Sequence, residues 1–116
     1  MDDTLFVYGT LMPNCPNAYV LENVVGRFIP ATVKGYLVDA GWSASMGYPG
    51  IKLDQDGDTV HGFLFKSSNL INHWDSLDEF EGEEFQREAV TIETYDEIDY
   101  QTYIYTVKVD EDMLED

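Results

Sequence analysis

LFVYGTL, residues 5–11, is the stretch that decides the predicted fold and the predicted site. Its first four residues, 5–8, are apolar and favour β-structure, which is typical of a buried strand. Gly9 follows, and a glycine allows a sharp turn or a close approach of the backbone to a ligand. The N–H groups after such a strand can point together at one anion. A plain core strand with an ordinary turn is the alternative, because one glycine is a weak signal.

A second stretch, SSNLINHWDSLDEFEGEEFQR at residues 67–87, predicts an amphipathic helix over residues 68–81. Ser67 or Ser68 can cap its start, and Gly82 can end it. At ~100° per residue, one narrow stripe of the helix carries Leu70, Trp74, Leu77 and Glu81. This stripe predicts the face that packs against the rest of the protein.

Glu81 is the candidate catalytic residue. It continues the apolar face, whereas Asp78 lies beside that face and Glu79 points away from it. Partial burial and the negative end of the helix dipole would both raise the pKa of the Glu81 carboxyl. Such a carboxyl suits general acid–base catalysis near neutral pH. The alternative is that Glu81 turns out to solvent at a fraying helix end.

The composition predicts a single acidic domain over residues 1–116. Hydrophobic residues make up 44% of the chain, which indicates a folded protein. With 6 basic and 23 acidic residues, the formal net charge of −17 should repel nucleic acids and anionic membranes. Adaptation to high salt and ordinary cytosolic acidity both remain open as causes, and we favour the second.

The sequence predicts neither a metal site nor a cofactor. Cys15, His61 and His73 are the only cysteine and histidines, so no Cys/His cluster can form. A lone cysteine forms no internal disulfide, which points away from an oxidising compartment. No apolar run approaches ~18 residues, and the start, MDDT, lacks the features of a signal peptide. We therefore expect a cytoplasmic protein without a membrane span.

The remaining chain reads mostly as strands. An Asp-Gly turn at residues 55–58 predicts a hairpin between strands at residues 51–53 and 59–66. Further strands are predicted at residues 28–39, 87–95 and 100–109. The loop at residues 40–50 carries Trp42, Met46 and Tyr48 and is predicted to form a pocket wall. About six or seven strands and one main helix predict the α+β class.

Seven motifs in a fixed order carry a resemblance that covers nearly the whole chain, about residues 4–107. They are VYGTL, PNAYVL, YPG, VHGFLF, LDEFEG, REAV and YIY. Together they resemble the γ-glutamylcyclotransferase-like family, also called avirulence-induced-gene-like, and are closest to its γ-glutamylamine cyclotransferase branch. The resemblance implies a small mixed β-barrel-like sheet with a helix against it and a pocket at one end.

The resemblance also implies an activity on a small γ-glutamyl substrate. The α-amine of that substrate attacks its own γ-carbonyl and releases 5-oxoproline with an amine or amino acid. Glu81, in LDEFEG, matches the catalytic glutamate of the family. The backbone N–H groups of the loop would cradle the glutamyl part, and two tyrosines would line the pocket. The implied substrate-binding residues are therefore Tyr8, Gly9, Thr10, Leu11 and Tyr105.

Three phenylalanines depart from the pattern of the family. Phe63 and Phe65 stand where many relatives have Glu and Tyr, and Phe85 stands where a Tyr is frequent. These positions are either repacked core or a pocket tuned to another leaving group. The identity of the leaving amine and the oligomeric state therefore stay open. Two other functions also stay open: a non-catalytic module that binds a small ligand, and an acidic protein that binds a basic partner.

Overall fold

The computed structural model describes residues 3–9, 11–22, 24–38 and 50–108. These residues form six strands, two short α-helices and one 3₁₀ turn at Leu70–Asn72. In chain order the elements are β1 (Thr4–Val7), α1 (Tyr19–Glu22), β2 (Arg27–Val38), β3 (Gly50–Leu53), β4 (Asp58–Lys66), α2 (Trp74–Glu81), β5 (Phe85–Thr94) and β6 (Asp99–Val107). The predicted α+β class is confirmed.

Five of the strands close into a barrel in the order β2-β4-β1-β6-β5. The barrel closes where β5 pairs with β2, with Ala31 opposite Thr94. The first strand lies inside the sheet, antiparallel to β4 and parallel to β6, as predicted. One parallel pairing among antiparallel ones makes the sheet mixed. The remaining strand, β3, pairs with the end of β2.

Alternation along the strands separates two cores, because successive side chains point to opposite faces. On β1, Phe6 packs with residues of all the other strands, such as Leu64 and Ile104, inside the barrel. Its neighbour Leu5 points outward and packs with the helical segment. The predicted helix stripe is confirmed here, since all four of its members are buried: Leu70, Trp74, Leu77 and Glu81.

The predicted hairpin between β3 and β4 is wrong, although the chain does turn between them. Both strands instead run antiparallel to β2, one after the other, and Gly35 of β2 is opposite both Leu53 and Asp58. A strand of twelve residues is long enough to pair with both in succession. The turn crosses Gly35 so closely that a Cβ on Gly57 would lie 2.8 Å from the Gly35 backbone.

The predicted single helix over residues 68–81 is divided into the 3₁₀ turn and α2. Ser67 supports the start of this segment, because its Oγ accepts a hydrogen bond from the Asn69 N–H at 3.1 Å. Gly82 ends α2 as predicted, with φ 80° and ψ −171°. That conformation is open almost only to glycine. The chain therefore turns sharply one residue after Glu81.

Some predictions fall outside the described residues, namely those on Thr10, on the loop with Trp42, Met46 and Tyr48, and on the last residues of the strands predicted at 28–39 and 100–109. In the part of the chain that the structure describes, no helix is long and apolar enough to cross a membrane. The same part holds no group of three or more His, Cys, Asp or Glu residues arranged to bind a metal ion.

Candidate active site

Glu81 is the last residue of α2, and its side chain lies against the barrel. It is only 9% exposed, although it is a carboxylic acid. Burial raises its pKa from 4.5 to about 7, because the charged form loses contact with water. Glu79, two residues earlier, is exposed. The prediction that Glu81 continues the buried face is confirmed, and the alternative of a solvent-facing Glu81 is wrong.

Tyr8 directly follows β1 and connects three strands through its hydroxyl group. The hydroxyl donates a hydrogen bond to the backbone oxygen of Tyr105 on β6, at 2.7 Å. It accepts one from the N–H of Ile51 on β3, at 3.0 Å. Both contacts are partly buried, and they hold Tyr8 through residues far apart in the sequence.

Tyr105 links the barrel to α2. Its hydroxyl donates a 2.6 Å hydrogen bond to one carboxylate oxygen of Asp78. The other oxygen of Asp78 lies 3.4 Å from the Arg87 guanidinium. That guanidinium is in turn stacked over the Trp74 ring, 4.4 Å from its centre. Arg87 and Asp78 are therefore held by more than their own ion pair.

The carboxyl of Glu81 and the two phenols act on one another electrostatically. Burial raises the pKa of Tyr8 above its ordinary value, the hydrogen bond from Ile51 lowers it, and the charge of Glu81 raises it again. Burial also raises the pKa of Tyr105, helped by Asp78 and Glu81 and opposed by Arg87. Both phenols are therefore neutral at physiological pH. The structure brings Tyr8, Tyr105 and Glu81 into one site.

The turn after β1 leaves one side of Gly9 open among the described residues. The N–H of Met12 closes it by donating to the Gly9 oxygen at 3.1 Å. No atom of the described residues lies within 4 Å of a Cβ placed on Gly9, whose φ is not left-handed. The protein itself therefore does not require glycine there. The N–H groups of Gly9 and Leu11 form no hydrogen bond with another described residue, whereas the Leu11 side chain is buried in the core.

Among the cavities in the described part of the structure, two have nearly the same volume. One, of about 620 Å³, lies beside the end of α2 and is lined by Asp78, Gly82, Arg87, Tyr105 and Lys108, among others. The other, of about 670 Å³, lies between the sheet residues Val33, Leu53, Val90 and Gln101. It shares no residue with the predicted site, whereas the cavity beside α2 shares only Tyr105 with it. Neither cavity is lined by Tyr8 or Glu81.

The contacts made by Asp78 and by the Ile51 N–H were not predicted from the sequence. Asp78 lies beside the buried stripe, and its contact with Tyr105 spans 27 residues. The only local signal for these contacts is that Asp78 lies at the edge of the buried stripe and that Arg87 follows nine residues later. This signal is weak. The ion pair between Asp78 and Arg87 was foreseeable as a contact of the helix end.

Comparison with known proteins assigns the chain to a family. The profile of the family described as gamma-glutamyl cyclotransferase, AIG2-like, matches residues 5–116. The chain belongs to this family. No curated protein sequence matches it.

Solved structures of this family's fold extend the comparison. An aig2-like protein from Mus musculus has 25% identity and a TM-score of 0.70, over 94% of this chain and 80% of that one. A protein from Arabidopsis thaliana has 27% identity and a TM-score of 0.66, over 95% and 72% of the two chains. YkqA from Bacillus subtilis has 24% identity and a TM-score of 0.70, over 91% of this chain. This chain, a member of the family, spans only 36% of the length of YkqA. That this protein is closest to the γ-glutamylamine cyclotransferase branch of the family stays a prediction.

Proposed function

We propose that this AIG2-like chain is a γ-glutamyl cyclotransferase in which Glu81 is the general acid–base. Its family and fold support cyclotransferase-type activity in general. The observation that carries the specific proposal is the burial of the Glu81 side chain at the end of α2, which raises the pKa of its carboxyl to about 7. A group with a pKa near the working pH can both take up and return a proton during one reaction.

In the proposed reaction the substrate supplies its own nucleophile. Glu81 removes a proton from the α-ammonium group, and the free amine attacks the γ-carbonyl carbon. A five-membered ring closes and a tetrahedral oxyanion forms. Glu81 then returns the proton to the leaving nitrogen as the bond between that nitrogen and the γ-carbon breaks. The ring nitrogen still carries one proton too many, and it passes this proton to the departing amine, which leaves as an ammonium ion. The products are 5-oxoproline and a protonated amine or amino acid, and Glu81 ends as a carboxylate, as it began.

Because ring closure is intramolecular, the protein has to supply position rather than a nucleophile. The N–H groups of Gly9, Thr10 and Leu11 are proposed to bind the α-carboxylate or the developing oxyanion. The open space beside Gly9 supports this proposal, since a substrate can approach the backbone there. Tyr8 and Tyr105 are proposed as neutral walls of the pocket. A negative phenolate there would repel the substrate carboxylate.

The test is release of 5-oxoproline from a panel of γ-glutamyl dipeptides and γ-glutamyl amines, measured by chromatography. We expect at least one member of the panel to be converted. No conversion of any member by correctly folded protein would contradict the proposal. Binding of a panel member without conversion would instead support the alternative of a non-catalytic binding module.

A further inference from the structure

Asp78 is the centre of a cluster that the proposed reaction does not yet use. One carboxylate oxygen accepts the Tyr105 hydroxyl at 2.6 Å, and the other faces Arg87 at 3.4 Å. The side chains of Arg87 and Asp78 are 28% and 43% exposed, so their ion pair alone would be weak. The short bond from Tyr105 is stronger, because its acceptor is charged.

Arg87 fixes Asp78 from the opposite side. Its guanidinium lies over two adjacent aromatic rings, 4.4 Å from the centre of Trp74 and 5.2 Å from that of Tyr103. A cation stacked on rings keeps its orientation even where water reaches it. The carboxylate of Asp78 is therefore presented to Tyr105 in one orientation.

Four charged or titratable groups are linked to Glu81 electrostatically, either directly or through the Tyr105 phenol, and they come from four elements. They are Asp78 on α2 itself, Tyr8 after β1, Arg87 on β5 and Tyr105 on β6. The charges of Glu81, Asp78 and Arg87 all act on the Tyr105 phenol. That phenol has one proton to donate, and in this structure it donates it to Asp78.

Building on the proposed function, we propose that Asp78 is a positioning residue for Glu81. By accepting the Tyr105 hydroxyl, it keeps the phenol proton directed away from the Glu81 carboxyl. If Asp78 is removed, the phenol can turn and donate to Glu81. A hydrogen bond to a carboxylate favours its charged form, so Glu81 would then titrate at lower pH and be a poorer proton donor to the leaving nitrogen.

The experiment follows the titration of Glu81 by ¹³C NMR of protein labelled at the glutamate side-chain carboxyl, with Glu81→Gln used to assign its signal. In Asp78→Ala we expect the midpoint to fall by about one pH unit. Glu79→Ala removes an exposed negative charge from the same helix and is the matched control, with a midpoint within about 0.3 unit of the unchanged protein. An unchanged midpoint in Asp78→Ala would overturn the proposal.

Tyr105→Phe separates this role from a merely structural one. The variant lacks the phenol proton, so adding Asp78→Ala to it should leave the Glu81 midpoint within about 0.3 unit of Tyr105→Phe alone. A loosened helix end would lower the midpoint equally with or without the phenol, and that result would overturn the proposal. Asp78→Asn is the second variant if Asp78→Ala does not fold. Its amide oxygen still accepts from Tyr105, so it should give a smaller fall in the same direction.

The titration needs no turnover, so the two proposals can fail separately. If Glu81→Gln loses activity but the midpoint is unchanged in Asp78→Ala, the proposed reaction is supported and the positioning role of Asp78 is contradicted. If the midpoint falls in Asp78→Ala but Glu81→Gln is fully active, the positioning role of Asp78 is supported and the proposed role of Glu81 in the reaction is contradicted. If both hold, the fall in the midpoint should appear again as an equal shift of the acid limb of the pH–activity profile.

Discussion

At the residue scale, the burial of Glu81 that suits catalysis should also reduce the stability of the protein. Its pKa is about 7 in the folded protein and 4.5 in the unfolded chain. The folded state therefore binds this proton more tightly, and stability that is fully present below pH 4.5 is lost as the pH rises through 7. A shift of this size corresponds to a loss of about 3 kcal/mol.

Glu81→Gln should abolish this loss, because an amide has no proton to lose. We expect the variant to be more stable than the unchanged protein by about 1–3 kcal/mol at pH 8, and this advantage to shrink towards pH 5. Urea unfolding at the two pH values measures the difference. Other acidic residues affect both proteins alike, so they cancel. An advantage that is the same at pH 5 and pH 8 would show that Glu81 does not titrate in the expected range.

Asp78 and Tyr8 show where reading the sequence residue by residue fails. The stripe placed Glu81 correctly, because helix periodicity depends only on neighbours along the chain. The contact between Tyr8 and the Tyr105 backbone spans 97 residues, and the bond between Tyr105 and Asp78 spans 27. No local pattern encodes such contacts. Asp78 therefore cannot serve as a neutral control in mutagenesis, although its position beside the stripe suggests one.

At the element scale, the turn after β1 can be tested for its role in binding. Gly9→Val adds a side chain where no described atom lies within 4 Å of the Cβ position. We expect the free energy of unfolding to change by less than about 1 kcal/mol, while KM for a converted γ-glutamyl substrate rises at least about tenfold. Urea unfolding and steady-state kinetics measure the two effects.

Gly62→Ala gives the contrast to this variant. A Cβ on Gly62 would lie 2.2 Å from the Val7 backbone oxygen, so this change should impair folding itself. If Gly9→Val unfolds the protein as Gly62→Ala does, the glycine of the turn serves the fold. Normal kinetics in Gly9→Val would show that the turn does not contact the substrate.

For the sheet, the sequence predicted where the strands lie but not how all of them pair. The boundaries of all six strands lie within two residues of the predicted ones, because β-branched and aromatic runs mark strands locally. The predicted pairing of β3 with β4 was wrong. An Asp-Gly turn indicates only that the chain reverses or crosses, and it does not indicate which strand becomes the neighbour. That choice was made by the length of β2, which accommodates β3 and β4 in turn.

At the scale of the whole molecule, barrel closure brings the parts of the site together. Strand β1 lies beside β6, so the turn after β1 meets Tyr105 near the other end of the described chain. Closure depends on the pairing of Ala31 with Thr94, which no sequence pattern indicates. The barrel was predictable only through resemblance to the family, which the match over residues 5–116 confirms.

The central claim is that Glu81 exchanges the proton in the cyclotransfer reaction. Glu81→Gln preserves the size of the side chain but cannot exchange a proton. The measurement is kcat for release of 5-oxoproline from a substrate of the panel that the protein converts. Glu79→Gln, which changes an exposed residue of the same helix, is the control. We predict that kcat falls by about two to four powers of ten in Glu81→Gln while the substrate still binds, and that Glu79→Gln retains most of its activity. Full activity in Glu81→Gln, or an equal loss in both variants, would contradict the claim.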